Sequence, residues 1–338
     1  MAQRVACVTG ASGFLATQII LVLLKRSWKV RACVRTRAKA DAWRAKYPMF
    51  NPEQLEFVVV PDMQVPGSFD DVVKGCEAIF HTASPFNFVF KDNEKDMLIP
   101  AKKGVLNLLK AAKAEPAVRR FIFTSSFAAI VSPHLDPRPG HMYTESDWNP
   151  STWEEAVSST DRHFVYLASK AHAEKALWAF IKDEKPEFSV TSIIPPVILG
   201  EAAQPFTSMG DINQSSTVLW RMVDAAVMPA TPAYLCVDVK DCAMCHVLAA
   251  EKDIAVVNGK RYLTVGASWS QSKAAQVIAK LFPDVVPRLP PLAPSQETYT
   301  SSSALVEKEL GITWRPFEET VKETFTQLLN IERNSKPE

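Results

Sequence analysis

The sequence predicts an α/β fold: a doubly wound parallel sheet with a smaller, mixed C-terminal lobe. Three observations predict it. Over residues 1–195, short β-branched runs alternate with longer amphipathic runs, as strand–helix–strand units require. The run Phe57-Val58-Val59-Val60 is apolar at successive positions, which suits a strand covered on both faces. The first strand leads directly into a glycine-containing turn at the head of a helix. At 338 residues, 47% hydrophobic and 22% charged, the chain can fill a core of that size and is too apolar to be disordered.

In chain order, the apolar run at 4–9 is the first strand and residues 13–27 the first helix. The longest apolar run, Ile19 to Leu24, lies within that helix and is far shorter than the ~20 residues that span a bilayer. Residues 29–34 form the second strand, 37–47 a helix, 55–60 a strand, 69–74 a short helix and 78–80 a strand. The helix at 102–114 shows an apolar face of Val105, Leu106, Leu108 and Leu109. A strand at 121–123, a long helix at 162–183 and a strand at 190–194 complete this half. After Pro195 the alternation stops. Loops with Pro205, Pro229 and Pro232 mix with a short strand near 262–265 and a helix near 270–281. This divides the chain into a nucleotide-binding unit at 1–195, a lobe at 196–330 interleaved with it over the sheet's carboxyl edge, and a polar, flexible tail at 331–338.

The net charge of +1 argues against nucleic acid or an anionic membrane as partner. Six cysteines in a chain of this length do not make a disulfide scaffold, and they fit a reducing, cytoplasmic setting. Gly10 and Gly13 interrupt the N-terminal apolar stretch and no small-residue cleavage site follows it, which argues against a secretory leader.

The turn reads Thr9-Gly10-Ala11-Ser12-Gly13-Phe14-Leu15-Ala16. Gly10 permits the tight bend, Gly13 lets backbone approach a pyrophosphate, and Ala16 takes the third small position, where helix packs on strand. The helix N-terminus then offers free N–H groups to the phosphates. Thr9, Gly10, Ser12, Gly13, Phe14 and Leu15 are therefore assigned to a dinucleotide, and the sheet to the Rossmann type. An acidic residue after the second strand would select NAD; here the sequence is Val34-Arg35-Thr36-Arg37. The guanidinium of Arg35 can grip a 2′-phosphate, a preference of about 10–150-fold for NADP(H). Arg37 is the weaker candidate because it falls on the following helix. Asp62 and Met63, after the third strand, are placed to meet the adenine.

Inside the long helix lies Tyr166-Leu167-Ala168-Ser169-Lys170, whose i, i+4 spacing puts Tyr166 and Lys170 on one face. A phenol titrates near about 10, too high for easy proton exchange at neutral pH, and a cation within ~4–6 Å lowers it by about 1–3 units. The same ammonium can hold a nicotinamide ribose. Upstream, Phe121-Ile122-Phe123-Thr124-Ser125-Ser126 is an apolar strand ending in hydroxyls, at the edge where parallel sheets bind ligand. Ser126 is placed to hydrogen-bond a reacting oxygen while Tyr166 delivers the proton.

Taken in order, these motifs resemble the extended short-chain dehydrogenase/reductase family. More narrowly, the chain is similar to the dihydroflavonol reductase-like branch that includes yeast-type methylglyoxal/aldehyde and ketone reductases. The resemblance runs from about residue 4 to 325. The motifs above are joined by Val30-Arg31-Ala32-Cys33-Val34-Arg35, His81-Thr82-Ala83-Ser84-Pro85-Phe86, Gly104-Val105-Leu106-Asn107, Trp148-Asn149-Pro150 and Val237-Asp238-Val239-Lys240-Asp241. It implies Ser126, Tyr166 and Lys170 as the catalytic set, with Tyr166 as proton donor in reduction. It implies that Thr82, Ala83 and Ser84 line the cofactor, with Ser125, Tyr166 and Lys170 in the same site, and that Pro195, Pro196 and Val197 wrap the nicotinamide. It also implies that Phe86 and Phe127 wall the substrate pocket. Glu201 follows Gly200 where many members have proline, so cofactor contacts are not extended past Val197.

Cys242-Ala243-Met244-Cys245-His246 spells a haem-attachment pattern, but its place at the start of a helix and the reducing setting favour packed thiols. No metal spacing links the remaining histidines; His81 closes the fourth strand as a core or cofactor-edge residue. Asn107 is a candidate for a water relay and Trp148 for a pocket contact, with packing the more common use of such a tryptophan. The expected function is an NADPH-dependent carbonyl reductase acting on a small aldehyde or ketone, as a monomer or homodimer. Phe86, Phe127 and Met209, together with Ser126 and Tyr166, give its pocket an apolar lining. Two alternatives stay open: a sugar-nucleotide epimerase or dehydratase on the same scaffold, and an NADP-sensing regulator without chemistry.

Overall fold

The computed structural model describes residues 3–335, apart from 86–88, 136–137 and 207–208. In chain order the strands are β1 (Val5–Thr9), β2 (Lys29–Val34), β3 (Leu55–Val59), β4 (Ala78–His81), β5 (Arg120–Thr124), β6 (Met142–Tyr143), β7 (Ser189–Ile194), β8 (Val197–Leu199), β9 (Leu235–Asp238), β10 (Lys260–Leu263), β11 (Ala267–Ser268) and β12 (Thr300–Ser301). The helices are α1 (Phe14–Lys25), α2 (Arg37–Lys46), α3 (Ile99–Ala114), α4 (Trp153–Ser158), α5 (Arg162–Glu184), α6 (Gln214–Trp220), α7 (Val239–Glu251), α8 (Ile254–Val257), α9 (Gln271–Leu281), α10 (Ala304–Leu310) and α11 (Phe317–Ser335).

Seven strands form one parallel sheet in the order β10-β7-β5-β4-β1-β2-β3. The chain builds outward from β1 in one direction, then returns and builds from β4 in the other. Between β1 and β4 it therefore leaves a crevice at the carboxyl ends of the strands. Alternate side chains of β1 serve opposite layers. Ala6 and Val8 pack with Ile19, Leu23 and Val247 of α1 and α7, whereas Cys7 packs with Val105, Leu108 and Leu177 of α3 and α5. A sheet covered on both faces is what the continuous apolar strands dictate.

Residues beyond 195 contribute to the main body as well as to the lobe. α7 lies beside α1, and β10 is the edge strand of the main sheet. The remainder forms a mixed sheet, β11-β9-β8, with β8 parallel and β11 antiparallel to β9. Its core joins Leu199, Leu219, Ile278, Phe325 and Leu328.

Two expectations are corrected. Residues 69–74 are turns rather than a helix: Val72 N and Val73 N both donate to Phe69 O, and the chain turns away at Gly75, whose φ is +68°. The polar C-terminus does not fray at 331. α11 runs on to Ser335, because Ile331 packs on the lobe core and Glu332 pairs with Arg288 at 2.8 Å.

Candidate active site

The glycine turn closes β1 onto α1. Gly10 has φ +67°, and a Cβ there would lie 3.1–3.3 Å from Ala83, so both its conformation and its closeness to the next strand end exclude a side chain. Gly13 N donates to Gly10 O at 2.8 Å, and Gly13 caps α1 with no side-chain bond. The first N–H groups of α1 thus have no side-chain cap and face the crevice mouth, as an anion site needs. Arg35 follows β2, is exposed, and makes no hydrogen bond or ion pair among the described residues. Arg37 is engaged with Asp41 at 3.5 Å. Of the two guanidiniums, Arg35 is the one left free.

Thr9 joins the two strands at the crevice. Its side chain is 1% exposed, and its Oγ1 accepts from Thr82 N at 3.2 Å and Ala83 N at 3.1 Å. Both acceptor positions are then used, so its hydrogen goes to His81 Nδ1 at 2.8 Å and the His81 proton sits on Nε2. Burial, then the charge of Lys170, pulls His81 down to about 3, so it stays neutral. Thr82 Oγ1 bonds back to Thr9 O at 2.5 Å. The hydroxyls of Thr9 and Thr82 brace the strand ends.

Asp62 is exposed and accepts from Gln64 N at 2.8 Å. Met63 lies over Gly104, where an added Cβ would meet its sulfur at 2.8 Å. Asn107 Nδ2 donates to Met63 O at 3.0 Å, so Asn107 holds the predicted adenine contact.

β5 delivers the serines. Ser125 N donates to Ile193 O and Phe127 N to Pro195 O, both at 2.8 Å, which ties the strand end to the segment ahead of β8. Ser126 is extended and caps the short turn Phe127–Ala129, its Oγ accepting from Ala128 N at 3.2 Å. That leaves the Ser126 hydroxyl hydrogen available to the neighbouring Tyr166 phenol, which Ser126 draws down. α5 begins at Asp161, whose carboxylate accepts from His163 N at 2.8 Å, and ends at Lys185, which adopts the left-handed conformation at φ +42°. Between those ends the four-residue spacing brings Tyr166 and Lys170 to the crevice, with Lys170 Nζ 5.8 Å from the Tyr166 ring centre.

The electrostatics differ from the expectation of a phenol drawn down by its neighbour. Burial pushes Tyr166 up to about 12, opposed only by the Ser126 hydrogen bond. Burial brings Lys170 down to about 8. Both groups have lost water, and burial sets the direction of both shifts. Lys170 is 8% exposed, and its ammonium has no hydrogen-bond acceptor among the described residues. A buried cation without an acceptor calls for one from a ligand, and ribose hydroxyls are of that kind.

The predicted substrate wall is less simply placed. Phe86 lies outside the described residues. Phe127 is 4% exposed and packs edge-on against Tyr143 at 5.4 Å, with Tyr299 at 5.5 Å. Met209 packs on the lobe core with Leu199 and Ile212. Trp148 lies beneath Arg261, whose guanidinium carbon is 3.7 Å from its ring centre. Pro195 is buried, while Pro196 and Val197 are half-buried at the start of β8. Ser84 is half-buried beyond β4. Cys242, Cys245 and His246 lie buried on α7, with His246 Nε2 2.8 Å from Thr124 Oγ1.

The family model for the NAD dependent epimerase/dehydratase family matches residues 6–264. The chain belongs to this family. Within it, the chain falls in the extended short-chain dehydrogenase/reductase group, in the dihydroflavonol reductase-like branch. It is 37% identical over 287 residues to a putative oxidoreductase of Schizosaccharomyces pombe, a match that covers 84% of each chain. It is 30% identical over 341 residues to the NADPH-dependent methylglyoxal reductase of Saccharomyces cerevisiae, covering 96% of this chain and 98% of that one. The crystal structure of a yeast methylglyoxal/isovaleraldehyde reductase complexed with NADPH superposes with a TM-score of 0.90 at 29% identity, over 97% of this chain and 99% of the other. The chain is thus a homologue of NADPH-dependent carbonyl reductases.

Sequence reasoning missed Glu174, Asn149 and Arg261. Glu174 stands four residues beyond Lys170 and eight beyond Tyr166, so a carboxylate in register with the Tyr166–Lys170 pair was the available signal.

Proposed function

We propose that this chain is an NADPH-dependent carbonyl reductase that converts an aldehyde or ketone to an alcohol. The observation that carries the reading is the juxtaposition of Ser126 and Tyr166 at the strand-order switch, beside the buried ammonium of Lys170, which has no acceptor among the described residues. NADPH fits the residues present. The uncapped turn at Gly10 and Gly13 would take the pyrophosphate, Arg35 the 2′-phosphate, Met63 the adenine and Lys170 the nicotinamide ribose. When bound, the nucleotide supplies the hydride.

The protein's part is to hold the carbonyl oxygen and protonate it. Ser126 Oγ and Tyr166 Oη offer two hydroxyls to one oxygen. With its phenol near about 12, Tyr166 keeps its proton at neutral pH and is loaded as an acid. As negative charge develops on the substrate oxygen, Tyr166 Oη releases its proton to it. The Lys170 charge and the Ser126 hydroxyl then hold the phenolate that remains. The apolar residues expected from the sequence to line the pocket, Phe86, Phe127 and Met209, would suit an aryl or alkyl carbonyl of small or medium size.

The test is NADPH oxidation by the purified protein against aldehydes, aryl ketones, β-ketoesters and dihydroflavonols, with the alcohol product identified. Turnover of at least one class is expected. NADPH binding without turnover of any would make the chain a nucleotide sensor; turnover of a nucleotide sugar alone would make it an epimerase or dehydratase.

A further inference from the structure

Glu174 is fully buried, and its carboxylate is ringed by donors from four elements. Oε1 accepts from Ser192 Oγ at 2.7 Å, Arg261 Nε at 2.8 Å and Trp178 Nε1 at 3.2 Å. Oε2 accepts from Ser125 Oγ at 2.6 Å and Arg261 Nη2 at 3.1 Å. Ser125 precedes the catalytic serine at the end of β5. Ser192 is on β7, Arg261 on β10, and Trp178 on α5 with Glu174 itself. Arg261 also donates to Glu145 O and, at 3.0 Å, to Asp147 O, and its planar head covers Trp148.

The segment fixed by Arg261 holds the other flank of Ser126. Asn149 is fully buried; its Nδ2 donates to Ala128 O and its backbone N to Ala129 O, both at 2.9 Å. Lys175, next to Glu174 on α5, donates to Asn149 O at 3.0 Å. The residue before Ser126 is thus anchored to Glu174, and the turn after it to Asn149, and both anchors lead back to α5. That helix carries Tyr166 and Lys170.

We infer that Glu174 is a positioning residue for carbonyl reduction. Its carboxylate fixes the strand end bearing Ser126 and the helix bearing Tyr166 in one register, with Arg261 as the clamp behind it. This rests on the reductase reading. It also gives the Ser125 hydroxyl a partner in the core, in place of the nucleotide contact expected from the sequence. The physical basis is the short reach of proton transfer: a hydroxyl pair displaced by about 1 Å loses on the order of 10²-fold in rate.

Four variants test it, with kcat, KM, the NADPH dissociation constant and the thermal midpoint measured for each. Glu174→Gln is expected to lower kcat about 10–100-fold, with KM and NADPH affinity within about threefold. Because that variant can also unfold, Ser125→Ala is the sharper probe. It removes one hydroxyl and leaves the Arg261 pair intact. It is expected to lower kcat at least about fivefold more than Ser192→Ala, which removes a similar bond to the same carboxylate from a strand without a catalytic hydroxyl. Ser125→Thr should restore most of the loss. Equal kcat in the two alanine variants, with only the thermal midpoint changed, would overturn the inference by making the cluster purely structural. A rise in the NADPH dissociation constant in Ser125→Ala, with kcat kept, would also overturn it and return Ser125 to the nucleotide. If Tyr166→Phe is impaired while these variants are not, the reductase reading stands and only this inference fails; a wild-type protein without turnover ends both.

Discussion

The two walls of the crevice are built from different material. The nucleotide-facing wall hangs from the ends of β1, β2, β4 and β5, whose residues are fixed by strand pairing and by short buried hydrogen bonds such as Thr9–His81. The residues expected from the sequence to face the substrate lie in irregular segments around Phe127 and Met209, whose side chains pack into two separate clusters. The proposed chemistry, which depends on sub-ångström placement, uses the first wall; selectivity, which tolerates a looser fit, would then fall to the second.

The largest expected effect lies on the strand–helix side. Tyr166→Phe should lower turnover about 10²–10⁴-fold while NADPH affinity changes little, since the phenol oxygen moves a proton and does not anchor the nucleotide. Turnover within about threefold of wild type would place the proton donor elsewhere.

Lys170→Met should weaken NADPH binding by about 10–150-fold, the worth of a charged hydrogen bond to ribose. It should also stabilise the ligand-free protein, because it removes a buried charge that has no acceptor among the described residues. Burial lowers Lys170 from the ordinary 10.5 to about 8, so the folded chain holds this proton less tightly than the unfolded chain. Below about pH 8 both states carry the charge and the burial penalty is at its full size, on the order of 3 kcal/mol. Between about 8 and 10.5 the unfolded chain binds more protons, so wild-type stability rises with pH and the gain from Lys170→Met shrinks. Thermal midpoints of both proteins at pH 7 and 9.5, without nucleotide, check the sign. A gain that grows with pH would contradict the assignment.

A smaller effect is expected at the edge of the same wall. Arg35→Asp should reduce the preference for NADPH over NADH by about 10–150-fold, read as the ratio of kcat/KM for the two nucleotides. Arg37→Ala should change the ratio less, as Arg37 already faces Asp41. An unchanged ratio in Arg35→Asp would remove Arg35 as the reader.

The smallest effects belong to the substrate side. Phe127→Leu should destabilise the chain by about 1–2 kcal/mol, because it thins the cluster with Tyr143 and Tyr299, and should leave KM within about threefold. A changed order of preferred carbonyls in this variant would put Phe127 in the pocket and narrow the contrast between the walls.

The same contrast governs what could be read from the chain. The β1–glycine–α1 unit, the strand ending at Ser126 and the Tyr166–Lys170 pair are local patterns, spaced within a turn or a strand, and the parallel, doubly covered sheet follows from the alternation of strands and helices. The Glu174–Arg261 pair spans 87 positions and carries no local mark. The high Tyr166 value was hidden for another reason: helical spacing reports which groups are neighbours, whereas the shift is set by how much water each has lost. Residues 69–74 carry apolar side chains that only a neighbouring layer could organise, and they settle as turns. β10 lies far along the chain from β7, its partner, so a strand recognised near 262 could not be assigned to the main sheet.

A crystal structure of the protein with NADP⁺ and its alcohol product tests the proposed geometry most directly. The alcohol oxygen is expected within about 2.6–3.2 Å of both Tyr166 Oη and Ser126 Oγ, with the Lys170 ammonium on the nicotinamide ribose. An alcohol oxygen out of reach of Tyr166, or a nicotinamide lying outside the crevice between β1 and β4, would contradict it.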